Sequence, residues 1–202
     1  GEGGSTGIVQ TQDDGYFILQ NNGGSPAYTS LYKVTENGDS TGHIGYDAYY
    51  GRIIETSDNN FILIGKNQHP GNASIMKIDS EGNYLWSQIY SFDFDYDDSM
   101  ILNGKETEDG GFVFGGLIQY NQSNGGNYSD GLIIKTNSNG NLIWTKIYDN
   151  VSDYGPYYIT DFTQTSDGGY IALSYMDYNN YMVKLDADGN ELWSQQLISA
   201  LT

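Results

Sequence analysis

The chain has 202 residues, with 8 Lys and Arg against 26 Asp and Glu and a formal net charge of −18; with a pI near 4.1, such a surface repels nucleic acid and anionic membranes over most of its area. The absence of cysteine excludes disulfides, thiolate metal sites and a cysteine nucleophile, and the absence of an apolar run of about 18 residues argues against membrane insertion. With 38% hydrophobic and 14% aromatic residues, the composition is too apolar for a disordered acidic chain.

The opening GEGGSTG begins on Gly1 where a translated chain has Met, which reads as a processed product or an excerpt. A repeat then starts at TQDDGYFILQ (11–20) and returns as TSDNNFILIG (56–65), TEDGGFVFGG (107–116) and TSDGGYIALS (165–174). Its threonines, Thr11, Thr56, Thr107 and Thr165, are spaced by 45, 51 and 58 residues, the range of propeller blades and solenoid repeats. A second phrase follows each copy: LYKVTENGD (31–39), IMKIDSEGNYLW (75–86), IIKTNSNGNLIW (133–144) and MVKLDADGNELW (182–193). Trp86, Trp144 and Trp193 each stand nine residues beyond Lys77, Lys135 and Lys184. In the first copy the same step from Lys33 reaches Gly42, so that copy is degenerate.

Within a copy, a first strand such as Arg52–Thr56 or Ile159–Thr165 ends at a hairpin, because Asp-Gly-Gly and Asp-Asn-Asn tolerate positive φ. The second strand, Phe61–Ile64, Phe112–Phe114 or Tyr170–Leu173, is apolar without alternation. The third, Ile75–Ile78 or Ile133–Lys135, is similar apart from its lysine, and both read as middle strands buried on two faces. The turn DSEGN, NSNGN or DADGN leads to a half-exposed fourth strand, Leu85–Tyr90, Ile143–Tyr148 or Leu192–Leu197. Four antiparallel strands per copy without helical periodicity predict an all-β fold. It is a single β-propeller domain over 1–202, built of four four-stranded antiparallel blades at approximately 8–42, 50–90, 99–148 and 157–197. Joined across the termini, Trp193 reaches Thr11 in 20 residues, against 21 in the two complete connections. A closed four-bladed ring is the simplest reading, and an open segment of a longer propeller array fits the same count.

The Thr-x-Asp-Gly-Gly-Phe/Tyr turn followed by Lys-x-Asp/Asn-x-x-Gly-Asn-x-x-Trp resembles the DGGY…LIKTDxxGNxxW blades of exported bacterial and archaeal β-propeller repeat proteins. The resemblance is good over about 50–197 and loose over 8–40. It implies a propeller and an extracellular or cell-surface location, and it names no reaction. Asn59-Asn60 in place of two glycines, the missing tryptophan of copy one and the Tyr- and Asp-rich loops depart from the pattern.

Alternating strands put the uniform tight turns on one face and the variable connections Lys66–Ser74, Asp93–Asp98, Ile118–Gly131 and Asp149–Tyr158 on the other, where binding residues concentrate. On this face Tyr46, Asp47, Tyr49 and Tyr50 accompany the candidate ligand-binding set Tyr96, Asp97, Asp98, Asp153, Tyr154, Tyr157 and Tyr158. Tyrosine rings pack on the C–H patches of sugars while carboxylates bond the hydroxyls; equally, such tyrosines cover blade edges and link subunits. No cofactor is expected, and calcium at DFDYDD (93–98) is the one metal candidate. DADGN (186–190) starts like a calcium loop but has Leu197 where the closing glutamate belongs. Lys33, Lys77, Lys135 and Lys184 read either as a cation ring around an axial anion or as stems packed on the sheet, each paired to a turn carboxylate such as Asp79 or Asp186. His43 and His69 lack a ligand-spaced partner. Asn72, Asn121, Asn127 and Asn150 open N-x-S/T sequons and are glycosylation candidates, all placed outside strands on the variable-loop side.

No Ser-His-Asp set or phosphate-binding loop is legible. The expectation is a non-enzymatic extracellular structural or adhesive module. Its partners are further copies, as in a filament, or other extracellular proteins, with Gly1–Gly7 and Ile198–Thr202 pairing with a neighbour's sheet edge. A lectin-like glycan-binding propeller is the alternative. A carbohydrate-active enzyme, which needs two carboxylates facing one pocket, comes third.

Overall fold

The computed structural model describes residues 4–22, 28–68, 71–92, 96, 98–121, 127–148, 157–176 and 179–197. The described residues form sixteen strands in four separate antiparallel sheets, and every sheet takes its four strands in chain order. Blade 1 comprises β1 (Gly4–Gln10), β2 (Tyr16–Asn22), β3 (Tyr28–Val34) and β4 (Ser40–Tyr46). Blade 2 comprises β5 (Ala48–Glu55), β6 (Phe61–Asn67), β7 (Ala73–Ile78) and β8 (Tyr84–Ile89). Blade 3 comprises β9 (Asp98–Glu106), β10 (Phe112–Asn121), β11 (Asn127–Thr136) and β12 (Leu142–Tyr148), and blade 4 comprises β13 (Tyr157–Gln164), β14 (Tyr170–Met176), β15 (Asn179–Leu185) and β16 (Glu191–Gln196). The four-bladed all-β architecture is the one the repeat predicts. The chain divides into two compact units, Gly1–Phe92 with blades 1 and 2 and Asp93–Thr202 with blades 3 and 4.

The repeated threonine phrase is the β1–β2 type hairpin, and its chemistry is the same four times. The threonine N–H donates to the carbonyl four residues on, in Thr11 to Gly15, Thr56 to Asn60, Thr107 to Gly111 and Thr165 to Gly169, each at 2.9 Å. The residue three beyond the threonine takes a left-handed conformation: Asp14 (φ 62°), Asn59 (φ 61°), Gly110 (φ 75°) and Gly168 (φ 81°). Asn and Asp reach this region more readily than other side-chain-bearing residues, which is why copies one and two fold without the glycine. The aspartate two beyond the threonine accepts its hydroxyl at 2.5–2.6 Å in all four copies.

That same aspartate receives the lysine of the third strand. Lys77 Nζ lies 2.6 Å from Asp58, Lys135 Nζ 2.9 Å from Asp109 and Lys184 Nζ 2.8 Å from Asp167. The lysines are therefore stems packed on the sheet, but the expected partners Asp79 and Asp186 are corrected. Those two use Oδ1 to accept N–H groups of their own turns, from Glu81 and Asn83 and from Asp188 and Asn190 respectively. In the degenerate first copy, Lys33 stands 3.9 Å from Asp13 and 2.8 Å from Glu81 of blade 2. Directly across the third-to-fourth strand ladder from each lysine stands Trp86, Trp144, Trp193 or, in blade 1, Gly42.

Burial separates the blades. β6 is buried on both faces, as expected of a middle strand, whereas β2 alternates between buried and half-buried residues. In the first unit Phe17, Leu19 and Leu31 of blade 1 join a core with Tyr50, Ile53, Phe61 and Leu63 of blade 2, where the Phe17 and Phe61 rings meet edge-on at 5.2 Å. In the second unit Val113 and Ile133 of blade 3 pack with Ile159, Phe162 and Ala172 of blade 4.

Several connections expected as loops are strand. Tyr46 ends β4, Tyr49 and Tyr50 lie in β5, Tyr157 and Tyr158 open β13, and β10 and β11 extend their hairpin to Asn121 and from Asn127. Backbone pairing continues past the apolar stretch because Asn121 and Asn127 still face each other in register. Gly4–Gly7 likewise belong to β1, hydrogen-bonded to β2, while 1–3 and 198–202 lie outside the described residues.

Candidate functional site

Strand alternation decides which tyrosines meet. Tyr157 and Tyr158 are neighbours in β13, so their rings leave opposite faces of the sheet. Tyr158 stacks on its cross-strand partner Tyr175, with centroids 5.1 Å apart, whereas Tyr157 is buried toward blade 3. The Tyr157 backbone is held there at both polar atoms: Ser129 Oγ of β11 donates to its carbonyl and accepts from its N–H, each at 3.1 Å. Gly131 makes room for the ring, since a Cβ at that position would stand 3.1 Å from it.

Tyr148, the last residue of β12, lies 6.3 Å from Tyr157 between centroids with the planes at 56°. Its hydroxyl donates to the Gly189 carbonyl at 2.8 Å, tying blade 3 to the third turn of blade 4. Together with Tyr181, Met176, Ser174, Ser194 and Glu191, these two tyrosines line a half-open cavity of about 330 Å³ inside the second unit. That volume lies at the small end of ligand pockets. Burial raises both phenols, with smaller contributions from Glu191 and, for Tyr148, from Tyr157; Tyr157 is pushed up to about 12. Both rings therefore keep their hydroxyl protons at neutral pH. The cavity thus combines tyrosine faces, two serine hydroxyls and the carboxylate of Glu191.

Of the expected ligand-binding set, the structure brings only Tyr157 into this cavity. Tyr96 and Asp98 are half-buried at the entrance to β9, and Asp97, Asp153 and Tyr154 lie outside the described residues. Sequence reasoning passed over Tyr148, Tyr181 and Glu191. Tyr148 carried a signal, four residues beyond Trp144, as Tyr90 is beyond Trp86 and Tyr46 is beyond Gly42. The first unit repeats that tyrosine tether, Tyr46 donating to Gly82 O at 2.9 Å, with Tyr50 at 6.4 Å from Tyr46. There burial pushes both phenols up to about 12.

Among the sequons, Asn72 is 7% exposed and its N–H donates to Asn67 Oδ1 at 2.6 Å, so a glycan there needs the 67–72 connection to open. Asn121 and Asn127 are strand ends rather than loop residues, and Asn150 lies outside the described residues. Among the described residues no three His, Cys, Asp or Glu side chains are grouped to hold a metal; DFDYDD (93–98) is described only at Tyr96 and Asp98.

No protein-family model and no curated protein sequence matches the chain. Solved structures do match it in fold. An α-L-arabinanase from Penicillium chrysogenum, complexed with arabinobiose, aligns with a TM-score of 0.57 at 11% identity over 96% of this chain and 66% of its own. A hypothetical protein from Leishmania major aligns with a TM-score of 0.51 at 11% identity over 92% and 69%. A mannose phosphorylase from Leishmania mexicana aligns with a TM-score of 0.48 at 11% identity, also over 92% and 69%. The arabinanase overturns the expectation of a non-enzyme. That expectation rested on finding no catalytic motif in the sequence, and a motif search along the chain is blind to groups that only the fold brings together, since function lives in sites rather than in the fold itself. The shared property is the β-propeller-type fold.

Proposed function

We propose that this chain is an extracellular glycan-recognising β-propeller whose saccharide site is the Tyr148, Tyr157, Tyr181 and Glu191 cavity. The observation that carries the reading is the convergence of three tyrosines and one carboxylate on a single half-open cavity within the second unit. Apolar ring faces cover the C–H patches of a sugar, while protonated phenols, serine hydroxyls and a carboxylate bond its hydroxyls. The acidic, lysine-poor, Gly-, Asn-, Ser- and Tyr-rich composition and the blade repeat support an exported setting. Because the fold also carries an arabinanase that binds arabinobiose, arabino-oligosaccharides are the first ligands to try.

The test is a glycan array followed by calorimetric titration of arabinobiose, using the wild-type chain, Tyr181→Ala and Glu191→Gln. A specific signal that falls at least tenfold in both variants supports the site. Binding that neither substitution changes, or no binding to any glycan, overturns it. The same samples are followed for release of reducing sugar, since Glu191→Gln removes the one carboxylate lining the cavity among the described residues and with it any turnover that depends on that group.

A further inference from the structure

Within each unit the first blade turns its trailing face toward the second and the second turns its leading face toward the first; the opposite face of each blade takes the other name. Gly7 of blade 1 lies on a trailing face, since a Cβ there would stand 3.4 Å from Ile53 of blade 2. Gly115 of blade 3 does the same toward Ile159 and Phe162 of blade 4. The ladders then carry each face across its blade. The leading row is Ile8, Ile18, Tyr32 and His43 in blade 1, Ile53, Leu63 and Met76 in blade 2, and Phe162, Ala172 and Val183 in blade 4.

Within the first unit the leading face of blade 1 is open, and within the second unit the trailing face of blade 4 is open. Ile8 is 65% exposed, whereas Ile53 and Phe162, at the same distance before the repeat threonine, are 5% and 4% exposed. Ile18 and Tyr32 beside it are only half-buried. On the trailing side of blade 4, Leu173 is 39% exposed where its counterparts Leu19 and Ile64 are fully buried. Met182 is half-buried where Leu31, Ile75 and Ile133 are buried, and Trp193 is exposed where Trp86 and Trp144 are half-buried. Both are apolar faces of the kind that marks an interaction site.

The chain itself shows what covers such a face. Blade 2 covers the trailing face of blade 1, and blade 4 covers that of blade 3. We propose that the trailing face of blade 4 docks on the leading face of blade 1 of a second copy, a head-to-tail contact that propagates rather than closing as a two-fold dimer. Ile171, Leu173 and Met182 then meet Ile8, Ile18 and Tyr32 of the next molecule. This contact uses sheet faces, not the terminal segments. It is also weaker than the internal ones at one identifiable point. Tyr46 and Tyr148 each tether their blade to the third turn of the next, but the equivalent residue of blade 4 is Leu197, which is exposed, and the equivalent turn residue Gly38 has nothing within 4 Å of a Cβ position.

Sedimentation velocity over a concentration series, with circular dichroism to confirm folding, tests the contact through Ile8→Glu and Leu173→Glu, two exposed positions. Wild type is expected to form dimers and longer species, and each variant alone to remain monomeric. An equimolar mixture of the two variants is expected to form a one-to-one dimer and stop there, because one retains only the trailing face and the other only the leading face. Leu197→Tyr is expected to tighten wild-type association about fivefold by supplying the missing tether. A wild-type monomer at every concentration overturns the proposal, whether the two faces stay bare or cover each other within one chain. Variants that still associate, or a mixture that stays monomeric, overturn it as well.

Discussion

Lys135 shows how a single residue type is dictated by its surroundings. Its ammonium is buried and donates to Asp109, to the Thr107 hydroxyl at 3.0 Å and to the Thr136 carbonyl at 3.1 Å, so its three protons are all used. Removing the acid alone strands a buried cation, which is costly, whereas replacing the lysine by an apolar residue of similar length removes the charge and its desolvation together. Asp109→Ala is therefore expected to lower stability by about 2 kcal/mol, reduced from the fully buried case because the aspartate is largely exposed, and Lys135→Met by less than about 1 kcal/mol. Urea midpoints at unchanged slope measure both. The recurrence of the lysine was legible in the sequence. Its partner was not, because copies one, two and four each offer aspartates in two turns and only the register shows which turn lies beside the lysine.

Hairpins are the element at which repetition and variation can be compared. All four Thr-x-Asp turns adopt one conformation, yet blades 1 and 2 place Asp14 and Asn59 where blades 3 and 4 have Gly110 and Gly168. Left-handed backbone is strained for a residue with a Cβ. Asp14→Gly is expected to be neutral or to stabilise by up to about 1 kcal/mol, read from the thermal midpoint, and a loss of more than that would mean the Asp14 side chain has a role of its own. The tyrosine tether makes the opposite prediction: Tyr148→Phe keeps the ring and loses one hydrogen bond, costing about 1 kcal/mol. Strand order and turn positions were readable from the phrases. Strand lengths were not, since β10 and β11 run on through Tyr120 and Asn121 and back from Asn127, residues whose polarity reads as loop and whose pairing is backbone chemistry that any sequence can make.

Across the molecule, the ionisable groups bracket a pH window for stability. Burial alone raises the pKa of Asp58 and Asp109, yet hydrogen bonds from Lys77 and Thr56 in one case and from Thr107 and Lys135 in the other bring both down to about 2. A carboxylate depressed in the fold stabilises above its unfolded pKa near 3.9, and that contribution is lost as pH falls through the folded value. Acid unfolding is accordingly expected to set in below about pH 4 and to deepen toward about pH 2. Buried Tyr46, Tyr50 and Tyr157, each raised to about 12 mainly by burial, give the mirror case. Their contribution is full below about pH 10 and disappears as pH rises through about 12, so the phenolate absorbance of these rings should appear together with unfolding. The net charge of −18 opposes contact between copies, so association is expected to strengthen with added salt, the reverse of an interface held by ion pairs.

What the sequence by itself determined is the architecture: repeat number, strand count, turn sites and the all-β class follow from local periodicity and turn chemistry, which are properties of short stretches of chain. Tertiary structure alone decided which residues share a space. Tyr148 of β12, Tyr157 of β13, Tyr181 of β15 and Glu191 of β16 meet in one cavity because two blades of the second unit face each other, and Ile8 and Leu173 are exposed because the partner blade of each one's own unit packs on the opposite face of the sheet. Both outcomes depend on packing between residues distant in sequence, for which a single chain carries no local signal.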